Sequence, residues 1–260
     1  MTMLLPGADV VDLEQVLAHF AEHGYARLGR LMSDDGLATL RQRADDLMMG
    51  RAPDPGLFFQ LDTDTGAYGD LTFGRGYQGP SLNYRKIEKL EKDDLYLSWL
   101  RNAVFQSIAE ALLGKAVVIY RAVLMNKAST GGTVLPWHQD GGLFWGLDRD
   151  PKLQIWTALD DTPAEAGAVE VVAGSHLAGL ATPLGGVIPD PLVRERRAEE
   201  TSLPLAARAG EVLLLHNHVW HRSLVNRTGH PRRAFSVCYM SADTRCTRKK
   251  RAPRQFFRAF

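Results

Sequence analysis

The chain has 260 residues, 45% hydrophobic and 23% charged, with a formal net charge of +1, the composition of an ordinary globular protein of one large or two small domains. That balance argues against a polyanion as a general partner, and two cysteines are too few for a disulfide framework, so a reducing cytoplasm fits. No window approaches the ~18 uncharged apolar residues of a membrane helix, and the first ten residues lack the order of an export signal, so neither export nor membrane spanning is expected.

Residues 12–23 place Leu13, Val16, Leu17 and Phe20 at helical spacing, with Gly24 where a C-terminal cap belongs. Residues 25–28 alternate like a short strand, and Ser33 is placed to cap a second helix over 34–49, with Leu37, Leu40, Ala44 and Leu47 on one face. Residues 50–80 are rich in Gly, Pro and Asp without periodicity and read as a long surface loop, either a connector or a lid. A third helix is expected over 93–113, stopped by Gly114. The texture then changes: 116–120, 122–125, 153–159, 168–172, 211–215 and 234–240 are short β-prone runs separated by turn residues. This predicts a mainly β protein, a sandwich or barrel, with three helices packed outside it. Cys238 falls inside the last run, where a thiol serves as a small apolar side chain. The basic run 245–254 reads as a solvated terminal face.

Chemistry concentrates at Trp137-His138-Gln139-Asp140. In a strand, His138 and Asp140 face one side and Gln139 the other. A second imidazole would complete the two-His, one-carboxylate triad that holds non-heme Fe(II) and leaves coordination positions open. His216, His218 and His221 are the candidates. A bend between residues 216–218 and the strand starting at Trp220 leaves that choice open on residues alone.

A longer ordered pattern surrounds these residues: Asn126-Lys127, His138-Gln139-Asp140, Trp156-Thr157-Ala158-Leu159, the run from Gly167 to Gly174-Ser175-His176, Gly210-Glu211-Val212, His221-Arg222-Ser223 with Asn226, and Arg232-Arg233-Ala234. In this order they resemble the phytanoyl-CoA dioxygenase family of Fe(II)/2-oxoglutarate oxygenases, from the opening helix to Tyr239. The resemblance implies a double-stranded β-helix (jelly-roll, cupin-like) core packed by N-terminal helices. It also implies one domain: a helical part over about 10–114, a core over about 115–242, and a basic tail over 243–260.

By the same resemblance His138, Asp140 and His221 are the metal ligands, and His216 and His176 occupy positions that bind no metal. Arg232 is the cation for the far carboxylate of 2-oxoglutarate, a task suited to a guanidinium's paired donors. Ser223, on the same strand face as His221, supports that carboxylate. Trp156 lines the cofactor pocket, and Lys86 is a further basic contact. Arg233 falls on the opposite face, with a solvent or structural role. Ala173 stands where the family usually has Pro. Asp140 keeps the carboxylate that halogenating relatives lose, which disfavours halogenation.

The implied reaction uses Fe(II), 2-oxoglutarate and O2 to oxidise, most simply hydroxylate, an aliphatic C–H bond of a small metabolite, with release of succinate and CO2, in a monomer or homodimer. Phe144, Trp145 and Arg149 are expected at the pocket mouth, suiting a substrate with an apolar and an anionic or polar part. Rival readings are a nucleic-acid-modifying oxygenase using Arg248-Lys249-Lys250-Arg251, a noncatalytic cupin-like barrel, and a metal-dependent hydrolase or isomerase. A nucleic-acid enzyme needs a basic groove beside the pocket, and no nucleic-acid partner is expected.

Overall fold

Side-chain caps start each N-terminal helix in the computed structural model, which describes residues 2–3, 11–129, 131–249 and 253–260. The Asp12 carboxylate accepts the N–H groups of Glu14 and Gln15 at the head of α1 (Leu13–His23), a contact worth about 1 kcal/mol. Gly24 ends the helix at φ 78°, the left-handed region where a side chain would be strained. Ser33 accepts from Gly36 to open α2 (Asp34–Met48). The single helix expected over 93–113 is two, α3 (Asp94–Leu100) and α4 (Ala103–Leu113). Asn102 accepts the Phe105 N–H and restarts the helix there, so a cap overrides a continuous apolar spacing.

Among the described residues thirteen strands form two antiparallel sheets, apart from a short pairing of Thr2–Met3 with Val11–Asp12. In chain order they are β1 (Tyr25–Arg30), β2 (Phe58–Leu61), β3 (Tyr84–Glu88), β4 (Val117–Lys127), β5 (Leu135–Gln139), β6 (Leu153–Ala158), β7 (Val169–Val172), β8 (Gly186–Val187), β9 (Leu203–Pro204), β10 (Glu211–Leu215), β11 (Trp220–Ser223), β12 (Arg232–Ser241) and β13 (Phe257–Arg258). The major sheet runs β1-β10-β6-β12-β4-β3-β2, with β13 also on β4; the minor sheet runs β8-β5-β11-β7-β9. This is the expected mainly β jelly-roll core with helices outside.

Strand alternation divides the interior in two. On β12, Phe235, Val237 and Tyr239 join the core beneath the helices, whereas Ala234 packs between the sheets and Ser236 lines a cavity there. On β4, Ala122 and Leu124 face the helices while Arg121, Val123 and Met125 face the cavity. The helix side is sealed by apolar contact; the inter-sheet side stays partly polar and open.

The sequence-based organisation shifts in two places. β2 lies inside the region read as an irregular loop, and β3 follows it, so the N-terminal part extends the major sheet as well as supplying helices. The basic tail is exposed but anchored: Arg248 donates to the Phe144 carbonyl, the Arg254 guanidinium lies 4.9 Å from the Tyr120 ring centroid, and β13 pairs with Val118 and Ile119. Residues 1 and 4–10, where most of the export expectation falls, lie outside the described residues, as do Lys250 and Arg251. Among the described residues no helix is long and apolar enough to cross a membrane.

Candidate functional site

His138 on β5 and His221 on β11 are directly opposed in the minor sheet, and their ring centroids lie 3.9 Å apart. With Asp140 they bring three ligand atoms within 4.8 Å of one another. His138 Nδ1 is 2.8 Å from the Pro136 carbonyl, and His221 Nδ1 is 2.9 Å from that of Val219. A carbonyl oxygen only accepts, so each Nδ1 carries the proton and each Nε2 presents a lone pair. The Asp140 N–H donates to the Asn217 carbonyl at 2.8 Å. Gln139 points away, as strand alternation requires, and its side chain bonds Gly179, His218 and Ala181 backbone groups.

The charge states suit a divalent cation. Burial would raise the Asp140 pKa, but Arg121, the two imidazoles and Gln154 outweigh it and hold the carboxyl down at about 2. Arg121 Nη2 and Gln154 Nε2 donate to Asp140 Oδ2 at 2.8 and 2.7 Å. Burial, then the neighbouring His221, pushes His138 down to about 3. An ionised carboxylate and a neutral imidazole are the forms that ligate metal.

Between the sheets lies a cavity of about 270 Å³ whose wall includes His138, Asp140, His221, Arg232, Ser223, Trp156 and Lys86. All seven expected site residues therefore share one chamber. Arg232 is 3% exposed. It donates to the Gly167 carbonyl, to Ser223 Oγ at 2.7 Å and to the Ala166 carbonyl at 3.5 Å. Among the described residues no carboxylate lies within ion-pairing distance, and burial pushes its pKa down to about 10. An unbalanced buried cation is costly, so the site fits an acidic ligand. The Trp156 indole N–H is likewise buried, with no hydrogen-bond partner among the described residues. A dianion spanning the metal triad and Arg232 matches this donor set. Lys86 bonds Glu88 at 2.6 Å.

The other histidines pack elsewhere. The His216 ring lies 4.8 Å from that of His176, and His218 Nε2 is 2.9 Å from Asp150 Oδ2. At the mouth, Phe144 and Trp145 line the cavity as expected, but Arg149 does not; it sits 3.7 Å from Asp148. The reason is local: Gly146, at φ 66°, ends the turn Leu143–Trp145 and redirects the chain. Tyr68 and Phe73, from the region read as a loop, join the wall. Arg233 is structural, paired with Asp160 at 2.8 Å and Asp45 at 2.7 Å.

Several contributors escape a sequence reading. Arg121 and Gln154 meet Asp140 from two different strands of the opposite sheet. Lys127, met above only as part of a motif, lines the cavity and donates to the Thr133 carbonyl at 2.6 Å. Burial, then the charge of Arg232, pushes its ammonium down to about 7.

Two antiparallel sheets enclosing a His-x-Asp…His cluster define the jelly-roll class of non-heme metal enzymes. The chain belongs to the phytanoyl-CoA dioxygenase family (PhyH), whose profile matches residues 20–234. It is thereby a 2-oxoglutarate-dependent non-heme iron dioxygenase, with O2 as co-substrate. It is 23% identical over 253 residues to a phytanoyl-CoA dioxygenase of Arabidopsis thaliana, covering 87% of this chain and 88% of the relative. It is also 23% identical over 243 residues to L-proline trans-4-hydroxylase of Streptomyces griseoviridis, covering 85% and 83%. Its fold is similar to that of EctD from S. alaskensis with 2-oxoglutarate and 5-hydroxyectoine, at a TM-score of 0.71 and 22% identity, covering 94% and 81%.

Proposed function

We propose that His138, Asp140 and His221 hold Fe(II), and that the enzyme hydroxylates an aliphatic C–H bond of a small molecule. The observation that carries this reading is the pairing, in one cavity, of a metal-ready triad with the buried guanidinium of Arg232, which among the described residues has no carboxylate within ion-pairing distance. When bound, Fe(II) and 2-oxoglutarate supply the oxidation: O2 gives one oxygen atom to succinate, formed with CO2, and the other to the substrate.

The protein's part is placement. The Pro136 and Val219 carbonyls fix both imidazoles, while Arg121 and Gln154 fix the carboxylate. Arg232, with Ser223 beside it, receives the far carboxylate of 2-oxoglutarate; Trp156 offers its unpaired N–H to the cofactor, and Lys86 adds positive charge from the wall. The relative that hydroxylates L-proline and the fold neighbour bound to 2-oxoglutarate and 5-hydroxyectoine support a small-molecule substrate.

Residues 1–260 are taken as one catalytic domain, a helical part over about 10–114, a core over about 115–242 and a tail over 243–260, because strands from either end extend the major sheet. A cytoplasmic monomer or homodimer acting without nucleic acid is in keeping with the two free cysteines and with Arg248 and Arg254 resting on the protein's own backbone. The test is succinate formation with Fe(II), 2-oxoglutarate and O2 across a metabolite panel beginning with L-proline. Succinate that requires Fe(II) and disappears in Arg232→Met supports the reading. No succinate above the protein-free blank from folded, metal-loaded protein favours a hydrolase or a noncatalytic barrel.

A further inference from the structure

Among the described residues six cations line the cavity: three pair with carboxylates, a fourth, Arg232, is assigned to 2-oxoglutarate, and two, Lys127 and Arg85, have neutral partners. Arg121 pairs with Asp140 at 2.8 Å, Lys86 with Glu88 at 2.6 Å, and Arg222 with Glu170 at 2.7 Å. Lys127 directs its ammonium to the Thr133 carbonyl at 2.6 Å, and burial with the charge of Arg232 beside it pushes that ammonium down to about 7, which makes it the weaker partner for an anion. Arg85 is the sixth. Among the described residues no carboxylate lies within ion-pairing distance of it, and its side-chain hydrogen bond runs from Nη1 to Gln60 Oε1 at 2.9 Å. Among the described residues the rest of its donor fork has no partner.

Arg85 is also held in place. Gln60 is 2% exposed and donates its Nε2 to the Thr72 carbonyl at 3.0 Å, so the amide that orients Arg85 is itself fixed. The backbone on its N-terminal side is tied down by Asn126, whose Nδ2 donates to the Leu82 and Tyr84 carbonyls, each at 2.9 Å. A preorganised cation spends little entropy in meeting an anion. Beside Thr72 stands Phe73, 65% exposed; with Phe144, 68% exposed, it gives the same cavity an apolar rim. Exposed aromatics at a cavity mouth mark a surface for an apolar ligand body.

We propose that Arg85 is the anion anchor for the substrate: the cavity takes a small molecule whose oxyanion, a carboxylate or a phosphate, meets Arg85 while its apolar body lies against Phe73 and Phe144. This rests on the oxygenase reading and assigns its substrate class. Arg85 thereby takes the place that the sequence alone gives to Arg149.

The test is calorimetric titration of anaerobic protein loaded with Fe(II) and 2-oxoglutarate, using octanoate, octyl phosphate and the neutral octanamide. At least one anion binds about tenfold or more tighter than octanamide, and the tighter of the two identifies carboxylate or phosphate as the natural group. Arg85→Gln brings both anions to the octanamide level without changing 2-oxoglutarate affinity; Arg85→Lys, which keeps the charge and loses the fork, retains part of the preference. Equal binding of the three probes to wild type, no binding of either anion, or an anion preference that survives in Arg85→Gln would each overturn the proposal. So would a loss of 2-oxoglutarate affinity in Arg85→Gln, which would move Arg85 into the cofactor site. Failure of wild type to bind 2-oxoglutarate appears before any probe is added and counts against the oxygenase reading itself.

Discussion

His216 and His221 lie on either side of one bend, and the two groups of histidines they belong to are built differently. His221 and His138 each give Nδ1–H to a backbone carbonyl two residues earlier, which leaves Nε2 with its lone pair, and both bring a ligand atom within 4.8 Å of the buried Asp140 carboxylate. His216 instead accepts the His218 N–H on its Nδ1 at 3.0 Å and packs 5.9 Å from the Phe20 ring, while His176 Nε2 meets the Ala21 carbonyl at 3.0 Å. Burial pushes both His176 and His216 down, the latter to about 3, so a neutral imidazole by itself separates nothing. What separates the groups is which nitrogen is left over and whether a carboxylate shares its space.

The comparison breaks most visibly at the ligand. His221→Ala is expected to weaken Fe(II) affinity by more than about 100-fold, whereas His216→Ala leaves it unchanged and lowers stability by about 1 kcal/mol; metal titration beside urea unfolding reads both. Equal metal loss in the two variants would erase the distinction.

The adjacent arginines sharpen it. Arg232→Met weakens 2-oxoglutarate binding by about 100-fold and changes apo stability by only about 1 kcal/mol, because relief of a buried charge with no carboxylate in ion-pairing distance among the described residues offsets the lost hydrogen bonds to Gly167 and Ser223. Arg233→Met does the opposite: it removes the guanidinium shared by Asp160 and Asp45, leaves Asp160, among the described residues, only the Arg41 cation at 3.0 Å, and destabilises the fold by about 2 kcal/mol, with cofactor affinity intact. Calorimetry with 2-oxoglutarate and thermal melts of the same samples would show whether the two effects separate.

A smaller effect is expected where the backbone crosses behind the metal strand. Gly185 has φ 72°, and a Cβ there would stand 2.0 Å from the Gly141 carbonyl oxygen. Gly185→Ala should cost about 2 kcal/mol and displace β8, which pairs with Gln139 and His138. A melt unchanged from wild type would show that this crossing is looser than its geometry.

Most of the helices and the strands from residue 117 onward are legible from apolar spacing, because each buries a regular face. β3 is not: it lines the cavity with Arg85, Lys86 and Glu88, and a strand that faces a charged site loses the alternation that identifies strands. β2 hides among glycines and prolines because it does not alternate: Phe59 and Gln60 are both buried. His138, Asp140, His221 and Arg232, which the fold brings to one cavity, could be singled out through the ordered pattern around them; residues alone left His216, His218 and His221 level. Arg121, Gln154 and Arg85 carry no local signal at all, since their partners are set by which strands become neighbours. Arg149 misled because proximity in sequence to the metal strand does not survive the turn at Gly146.

On the proposed reading the triad and Arg232 act as one site, the triad holding Fe(II) and Arg232 the far carboxylate of 2-oxoglutarate. Its most direct test is anaerobic addition of Fe(II) and then 2-oxoglutarate, followed by visible absorption of the metal–keto-acid charge-transfer band. The band should form in wild type and in His216→Ala, be absent in His221→Ala, and require far more 2-oxoglutarate in Arg232→Met. No band from folded, iron-loaded wild type, or a full band in His221→Ala, would contradict the account.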